Sequence, residues 1–419
     1  MSLLKNHEFR LFWGAQTVSM IGTNTSRTAI PLLAATTLAA TPMQMGVLQA
    51  AQTFAFLLVG LPAGVLVDRV RRRPILIVCD LLRAALMILI GVGFYLDRIS
   101  FPVLLAGMLL IGFATVFFEI AYQSYIPVVV GRDRLVEGNA RLESTNSVSR
   151  TVGPTLGGSL VELAGATATQ CAQAAAHLLS VFLLSRIRTV EAAPEGRPDR
   201  RMGAEIRVGL SFVLRHPVFR AITGSAATYN FFYAMTLPLV TLLLVDEIGF
   251  SGTLGGALMT IGGVGGVLGA ALSGRLALRL GQVRAMRLGY LTAVPTTLLI
   301  PFAGDGWAAL LFAGPWFATA FGIIVYNVGQ ASIRQALCPP DLLGRMNASV
   351  RFLVWGILPL GSLAGGALGE WTGVRTALFV AGAGMSAGGL WLVCSRLRTM
   401  RDLPAPEDFP LARTAPLSK

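Results

Sequence analysis

A chain of 419 residues that is 54% hydrophobic and only 13% charged, with a mean hydropathy of +0.67, falls outside the range of water-soluble domains. Its formal net charge of +13 sits in the loops between apolar runs, which excludes a nucleic-acid surface and makes the charge a signal of membrane topology. The four cysteines, Cys79, Cys171, Cys338 and Cys394, share no CxxC spacing, so neither a disulfide framework nor a metal site is expected.

Crossing the hydrocarbon core takes about 20 apolar residues in a helix. Segments that qualify run, in chain order, over 10–38, 43–68, 74–96, 101–125, 142–164, 167–187, 218–245, 252–280, 284–303, 307–333, 347–369 and 375–396, which predicts an all-α integral membrane protein of twelve transmembrane helices. The first run follows no cleavable small-residue site, so no removable signal peptide is expected. Basic clusters at Lys5/Arg10, Arg69 to Arg73, Arg132/Arg134/Arg141, Arg186 to Arg220, Arg275 to Arg287, Arg334/Arg345 and Arg396 to Arg401 alternate with nearly bare loops. That alternation puts the basic loops and both termini in the cytoplasm, with the arginines facing anionic membrane lipid.

The polar, Pro-bearing stretch "EAAPEGRPDRR" divides the spans six and six. The expected organisation is a six-helix bundle over 1–187, a cytoplasmic central loop over 188–217, a second six-helix bundle over 218–397 and a cytoplasmic tail over 398–419. The halves echo each other at a spacing of about 210 residues. "HEFR" and "HPVFR" precede the first and seventh spans, Gly64 and Arg69 fall opposite Gly274 and Arg279, and Asn139 with Gly157/Gly158 falls opposite Asn347 with Gly365/Gly366. Parallel repeats of this kind suggest a transporter with its site between the halves, near the bilayer midplane.

In the loop after the second span, Gly64-x-x-x-Asp68-Arg69-x-x-Arg72-Arg73 resembles the signature loop of the major facilitator superfamily, with Arg71 where that family usually has a second glycine. The second copy, after the eighth span, has Leu278 in place of the aspartate. In the fifth span "GPTLGGSL" resembles the motif of the superfamily's drug and proton antiporters, carried by Gly153, Pro154, Gly157 and Gly158. Together with "AYQSYIPVVV", "RLVEGNA", "VLRHPVFRA" and "LGRMNA", it is similar to the branch holding the enterobactin exporter and macrolide efflux proteins. The resemblance implies two pseudo-symmetric six-helix bundles working by alternating access. It also implies a cytoplasmic gate in which Asp68 accepts at a helix end, Arg69 and Arg73 donate, and Arg72 touches lipid. The same cationic loop also serves simply to fix orientation. Pro154 and the two glycines also suit a kink and close packing, with no bearing on antiport.

An ionisable side chain near a span's centre costs on the order of 3 kcal/mol on insertion scales, so such residues are functional candidates. At 1.5 Å per residue, Arg150 lies roughly 12 Å up the fifth span and Glu119 about 27 Å down the fourth from its outer end. Glu119 with Tyr122 and Gln123, and Asn146 with Arg150, share helix faces at i+3 and i+4. Glu119 is therefore expected to carry the coupling proton, with Arg150 tuning it; the alternative is a static Glu119–Arg150 pair. Arg27 suits either an anionic substrate or an outer-gate salt bridge. Asp80 and Arg83, one turn apart, are expected to pair and to support the Asp68 loop. His177, alone in an apolar span, is expected to be a packing residue.

Asn24, Arg27, Gln52, Gln123 and Asn146 from the first half, with Tyr229, Asn230, Tyr233, Asn327, Gln330 and Trp355 from the second, are candidates to line a substrate cavity. Aromatics with sparse amides suit a bulky amphiphile, although each also serves packing or interfacial anchoring. These features lead to a secondary transporter of the inner membrane, monomeric and driven by the proton gradient without a cofactor. It would export a small-molecule substrate such as a drug, macrolide or siderophore. An importer or a lysolipid flippase has the same sequence signals, and a membrane receptor or scaffold is the alternative without transport. No Walker A loop, HExxH pair or GxSxG elbow is present, which argues against an ATP-driven pump and against an enzyme.

Overall fold

In a computed structural model, residues 3–131, 134–189, 191, 210–338 and 340–402 are described, and among them the chain is helical throughout with no strand. The helices are α1 (His7–Leu38), α2 (Pro42–Arg69), α3 (Arg72–Tyr95), α4 (Phe101–Val130), α5 (Leu135–Arg186), α6 (Pro217–Leu242), α7 (Gly252–Leu280), α8 (Gln282–Ala293), α9 (Leu310–Leu337), α10 (Pro340–Gly356), α11 (Leu358–Thr372) and α12 (Val374–Ala387). Eight helices among the described residues are long and apolar enough to cross a membrane. Of the other four predicted spans, that over 10–38 is the single helix α1, those over 142–164 and 167–187 lie in α5, and one is built from pieces. The span expected over 284–303 is α8 continued by the 3₁₀ segment Val294–Phe302, where Pro295 and Pro301 lack the N–H groups an α-helix would use. The span over 347–369 is divided between α10 and α11, and that over 375–396 is α12 followed by the short helix Leu390–Val393.

Helix starts follow local chemistry. The Asn6 side chain accepts from the backbone N–H groups of Glu8 and Phe9 to open α1. Thr41 and Gln44 form a reciprocal capping box ahead of α2, with Pro42 in its first turn.

The fifth and sixth predicted spans are both contained in α5, interrupted at Gly165, whose backbone (φ 76°, ψ 177°) only glycine adopts without strain. A Cβ on Gly157 would lie 2.6 Å from the carbonyl oxygen of Thr25, while Gln173 accepts from the hydroxyl of Ser26. Residues eight before and eight after Gly165 thus meet adjacent positions of α1, so the chain doubles back at this glycine.

Two compact units result, Met1–Pro198 with Val240–Thr260, and Asp199–Leu239 with Ile261–Lys419. The first is centred on Phe9, Phe12, Leu76, Phe118, Tyr125 and Leu184. The second is centred on Phe219, Tyr229, Met286, Tyr290, Tyr326 and Met346. Most of the central loop and nearly all of the tail expected from sequence lie outside the described residues.

Candidate functional site

The most polar interior of the first unit is a place where α1, α3, α4 and α5 meet. Asp80 and His177 are essentially inaccessible, at 0% and 1% exposure, and Arg83 is almost so. One carboxylate oxygen, Asp80 Oδ1, accepts from Arg83 Nη1 at 3.0 Å and from the Ser19 hydroxyl at 3.3 Å, and lies 3.1 Å from His177 Nδ1. Arg83 also reaches the carbonyl of Ala114 and lies 4.4 Å from the centre of the Phe118 ring. The expected Asp80–Arg83 pair is present. His177 is not a packing residue alone, because a buried imidazole at hydrogen-bond distance from a carboxylate is a specific polar partner. That partner lies 97 residues away, beyond the reach of any local pattern.

At the α2–α3 turn, the carboxylate of Glu191 accepts from the backbone N–H groups of Arg72, at 2.8 and 2.9 Å, and of Arg73, at 3.4 Å. It also pairs with Arg72 Nη1 at 3.0 Å. An acid at a helix N-terminus satisfies orphan donors and complements the dipole. Arg73 binds the carbonyls of Leu184 and Ser185, and Glu8 accepts from the N–H groups of Arg188 and Thr189. The arginines of the signature loop thus fasten the end of α5 and the residues after it. Arg69 is exposed, Gly64 lies in the helix, and the side chain of Asp68 lies outside the described residues.

Along α5, Gly153 and Gly157 approach Asn24 and Thr25 of α1, while Gly158 and the backbone of Pro154 lie against Gly252 and Gly256 of α7. The Thr155 and Thr260 hydroxyls are 2.7 Å apart, and Glu162 accepts from the N–H of Thr253 at 2.7 Å. The antiporter-like motif is therefore a close-packing surface, whatever else it does.

Glu119 is half-buried on α4 and Arg150 is exposed on α5. Arg150 Nε donates to Asn146 Oδ1 at 3.2 Å and Asn146 donates to Glu143 at 3.4 Å, so that these three form a polar ladder on one helix face. No ion pair joins Arg150 to Glu119 among the described residues. Asn24 is buried and donates to the carbonyl of Met20, Gln52 is half-buried, and Arg27 and Gln123 are exposed.

In the second unit Tyr229 stacks on Tyr233 at 5.6 Å, Tyr233 on Trp316 at 6.4 Å and Trp316 on Phe312 at 5.2 Å. Behind them, the Tyr290 and Tyr326 hydroxyls donate to the carbonyls of Met385 and Ile222. On α9, Arg334 donates to Gln330 at 3.3 Å and Gln330 to Asn327 at 2.6 Å. Asn230 donates to the carbonyl of Ala226, and Trp355, largely exposed, carries Arg351 against its ring. Trp316 and Arg334 extend the predicted set; their i+4 spacing to Phe312 and Gln330 was the available signal.

Solved structures with this fold are transporters. A bacterial homologue of the iron transporter ferroportin in the inward-facing state superposes with a TM-score of 0.76 over 96% of this chain and 100% of its own, at 16% identity. The nucleoside transporter NupG does so with 0.72 over 94% and 99%, at 11% identity. The fold is thus that of the major facilitator transporters. A family profile described as transmembrane secretion effector matches residues 1–414, and the chain belongs to that family. Among curated relatives, the multidrug efflux pump Tap of Mycolicibacterium fortuitum is 28% identical, covering 78% of this chain and 80% of its own. The enterobactin exporter EntS of Salmonella choleraesuis is 26% identical over 97% of both.

Proposed function

We propose that this transporter is a proton-coupled antiporter of the inner membrane, with both termini cytoplasmic, exporting a small amphiphilic molecule by alternating access. It acts as a monomer, with the proton gradient in place of a cofactor, and performs no chemistry on its cargo. The observation that carries the proposal is similarity over most of the chain to two exporters whose cargoes differ, a multidrug efflux pump and an enterobactin exporter. The shared property is outward direction.

The aromatic stack of Tyr229, Tyr233 and Trp316 and the Asn327–Gln330–Arg334 ladder supply the apolar surface and sparse polar groups that a bulky amphiphile needs. Glu119, an ionisable group within α4, is the proposed coupling carboxylate, and the Arg150 ladder is a charged neighbour rather than a locked partner.

Matched cells expressing the wild type or Glu119→Gln, profiled for compounds inside and in the medium with ethidium as an added probe, test this. The expected outcome is a compound enriched outside only with the wild type. Equal enrichment with both proteins would remove Glu119 from coupling; enrichment inside the cell would reverse the direction.

A further inference from the structure

We propose that Asp80 and His177 form a proton-binding site inside the first unit, with His177 the group that takes up and releases the proton and Asp80 the fixed acceptor that holds it. The inference rests on the proton-coupled reading only where it assigns this proton a part in transport.

The geometry defines the chemistry. Asp80 Oδ1 already accepts from Arg83 and Ser19, and as a carboxylate it can only accept from His177, so Nδ1 carries the hydrogen. An incoming proton therefore binds Nε2 and makes an imidazolium without moving a heavy atom. Nε2 faces α1 at Gly22, where a Cβ would lie 3.8 Å from it. Gly22 itself sets no side chain against that nitrogen.

The charge balance is what makes the site two-valued. With neutral His177, Asp80 and Arg83 cancel; with imidazolium, the cluster carries one net positive charge. The remaining groups facing the site are neutral: the Cys79 thiol on α3, Ser180 one turn from His177 on α5, Ser19 on α1, and Phe118 with the Ala114 carbonyl on α4.

The site is not isolated. Gln16 on α1 and Gln170 and Gln173 on α5 are fully buried, and each keeps side-chain atoms without a hydrogen-bond partner, as do Asp80 Oδ2 and Arg83 Nε. Ser26 donates to Gln173. Gln16 lies one turn before Ser19, and Gln173 and Gln170 lie one and two turns before His177, so at 1.5 Å per residue the file extends roughly 5 to 10 Å to either side of the cluster. A static ion pair between helices has no use for unsatisfied amides on both sides, since such atoms are costly to bury.

The chain has three histidines, so the site can be watched directly. Full-length protein labelled at histidine, in lipid nanodiscs, gives imidazole NMR signals assigned with His7→Gln and His216→Gln. The His177 signal is expected to pass between neutral and protonated forms as pH is varied across the range in which the protein stays folded, and to do so at lower pH in Asp80→Asn. One protonation state across that range, or an identical titration in Asp80→Asn, overturns the site. His177→Asn is the fold control, checked by elution as a monodisperse peak.

Transport supplies the second readout. In proteoliposomes loaded with ethidium, the ratio of flux with and without an imposed pH gradient is expected to fall below that of the wild type in His177→Gln, whatever its absolute rate. A ratio equal to that of the wild type overturns the part assigned to this proton. A wild type indifferent to the gradient overturns proton coupling itself, and the site is then decided by the titration.

Discussion

The two compact units bury polar groups in opposite ways. The first places opposite charges in its interior, with Asp80 bonded to Arg83 on its own helix and to His177 across to α5. The second buries phenols, with Tyr290 and Tyr326 packed edge to face at 5.2 Å and each spending its hydroxyl on a main-chain carbonyl. The difference matters because a buried ion pair depends on every member, whereas a phenol remains a large apolar body when its hydrogen bond is lost.

Removing a charge from the first unit should therefore have the largest effect. Arg83→Met leaves the Asp80 carboxylate buried without its cation and is expected to destabilise by about 3–5 kcal/mol, read as loss of folded yield and a lower unfolding temperature in detergent. Adding Asp80→Asn to it should recover part of the loss. Equal stability of Arg83→Met and the wild type would break the comparison.

Packing without charge comes next. Gly157→Ala drives a methyl into the Thr25 carbonyl and should cost about 1–3 kcal/mol, while Gly60→Ala, with open space around its Cβ, should be neutral or slightly stabilising. Thermal unfolding of both variants side by side separates close approach from helix propensity.

In the second unit Tyr326→Phe should cost only about 1 kcal/mol, the net worth of one hydrogen bond, with transport retained. A loss as large as that of Arg83→Met would erase the distinction between the units.

The smallest expected effect is at His216, ahead of α6, which lies against Phe219 and accepts from its N–H through Nδ1. Burial lowers its pKa below the ordinary imidazole value, so the folded chain prefers the neutral ring. The unfolded chain then binds more protons just below that ordinary value, and the associated stability is present above it and lost as pH falls. The unfolding temperature should drop more between pH 7 and pH 5 in the wild type than in His216→Phe, the ordinary value being about 6.5.

Most of the fold was legible because hydropathy and loop charge are one-dimensional signals; both are set by stretches of about 20 residues against a bilayer of fixed thickness. Asp80 with Arg83 was legible for the same reason, being neighbours on one helix. His177 was not, because its partner is brought to it only by the packing of α3 against α5. Glu191 stands in a polar stretch rich in charge, where nothing in the pattern separates a helix cap from a solvated side chain. Arg72, expected against lipid, pairs with that Glu191. The repeat seen at "HEFR" and "HPVFR" marks two helix starts that are closed by different chemistry, an Asn6 amide in one and the His216 ring in the other.

The reversal at Gly165 also bears on how the chain enters the membrane during synthesis. Neither of the two segments it joins is among the eight apolar enough to cross alone: one carries Arg150 and Glu162, the other Gln170, Gln173 and His177. With a single glycine as the bend, the two arms are expected to insert as one hairpin, whose polar faces in the folded chain meet α1 and α3 rather than lipid. A residue inserted beside Gly165 is expected to separate the arms and leave each to cross on its own, read as a fall in inserted protein, so the bend would limit biogenesis as well as packing.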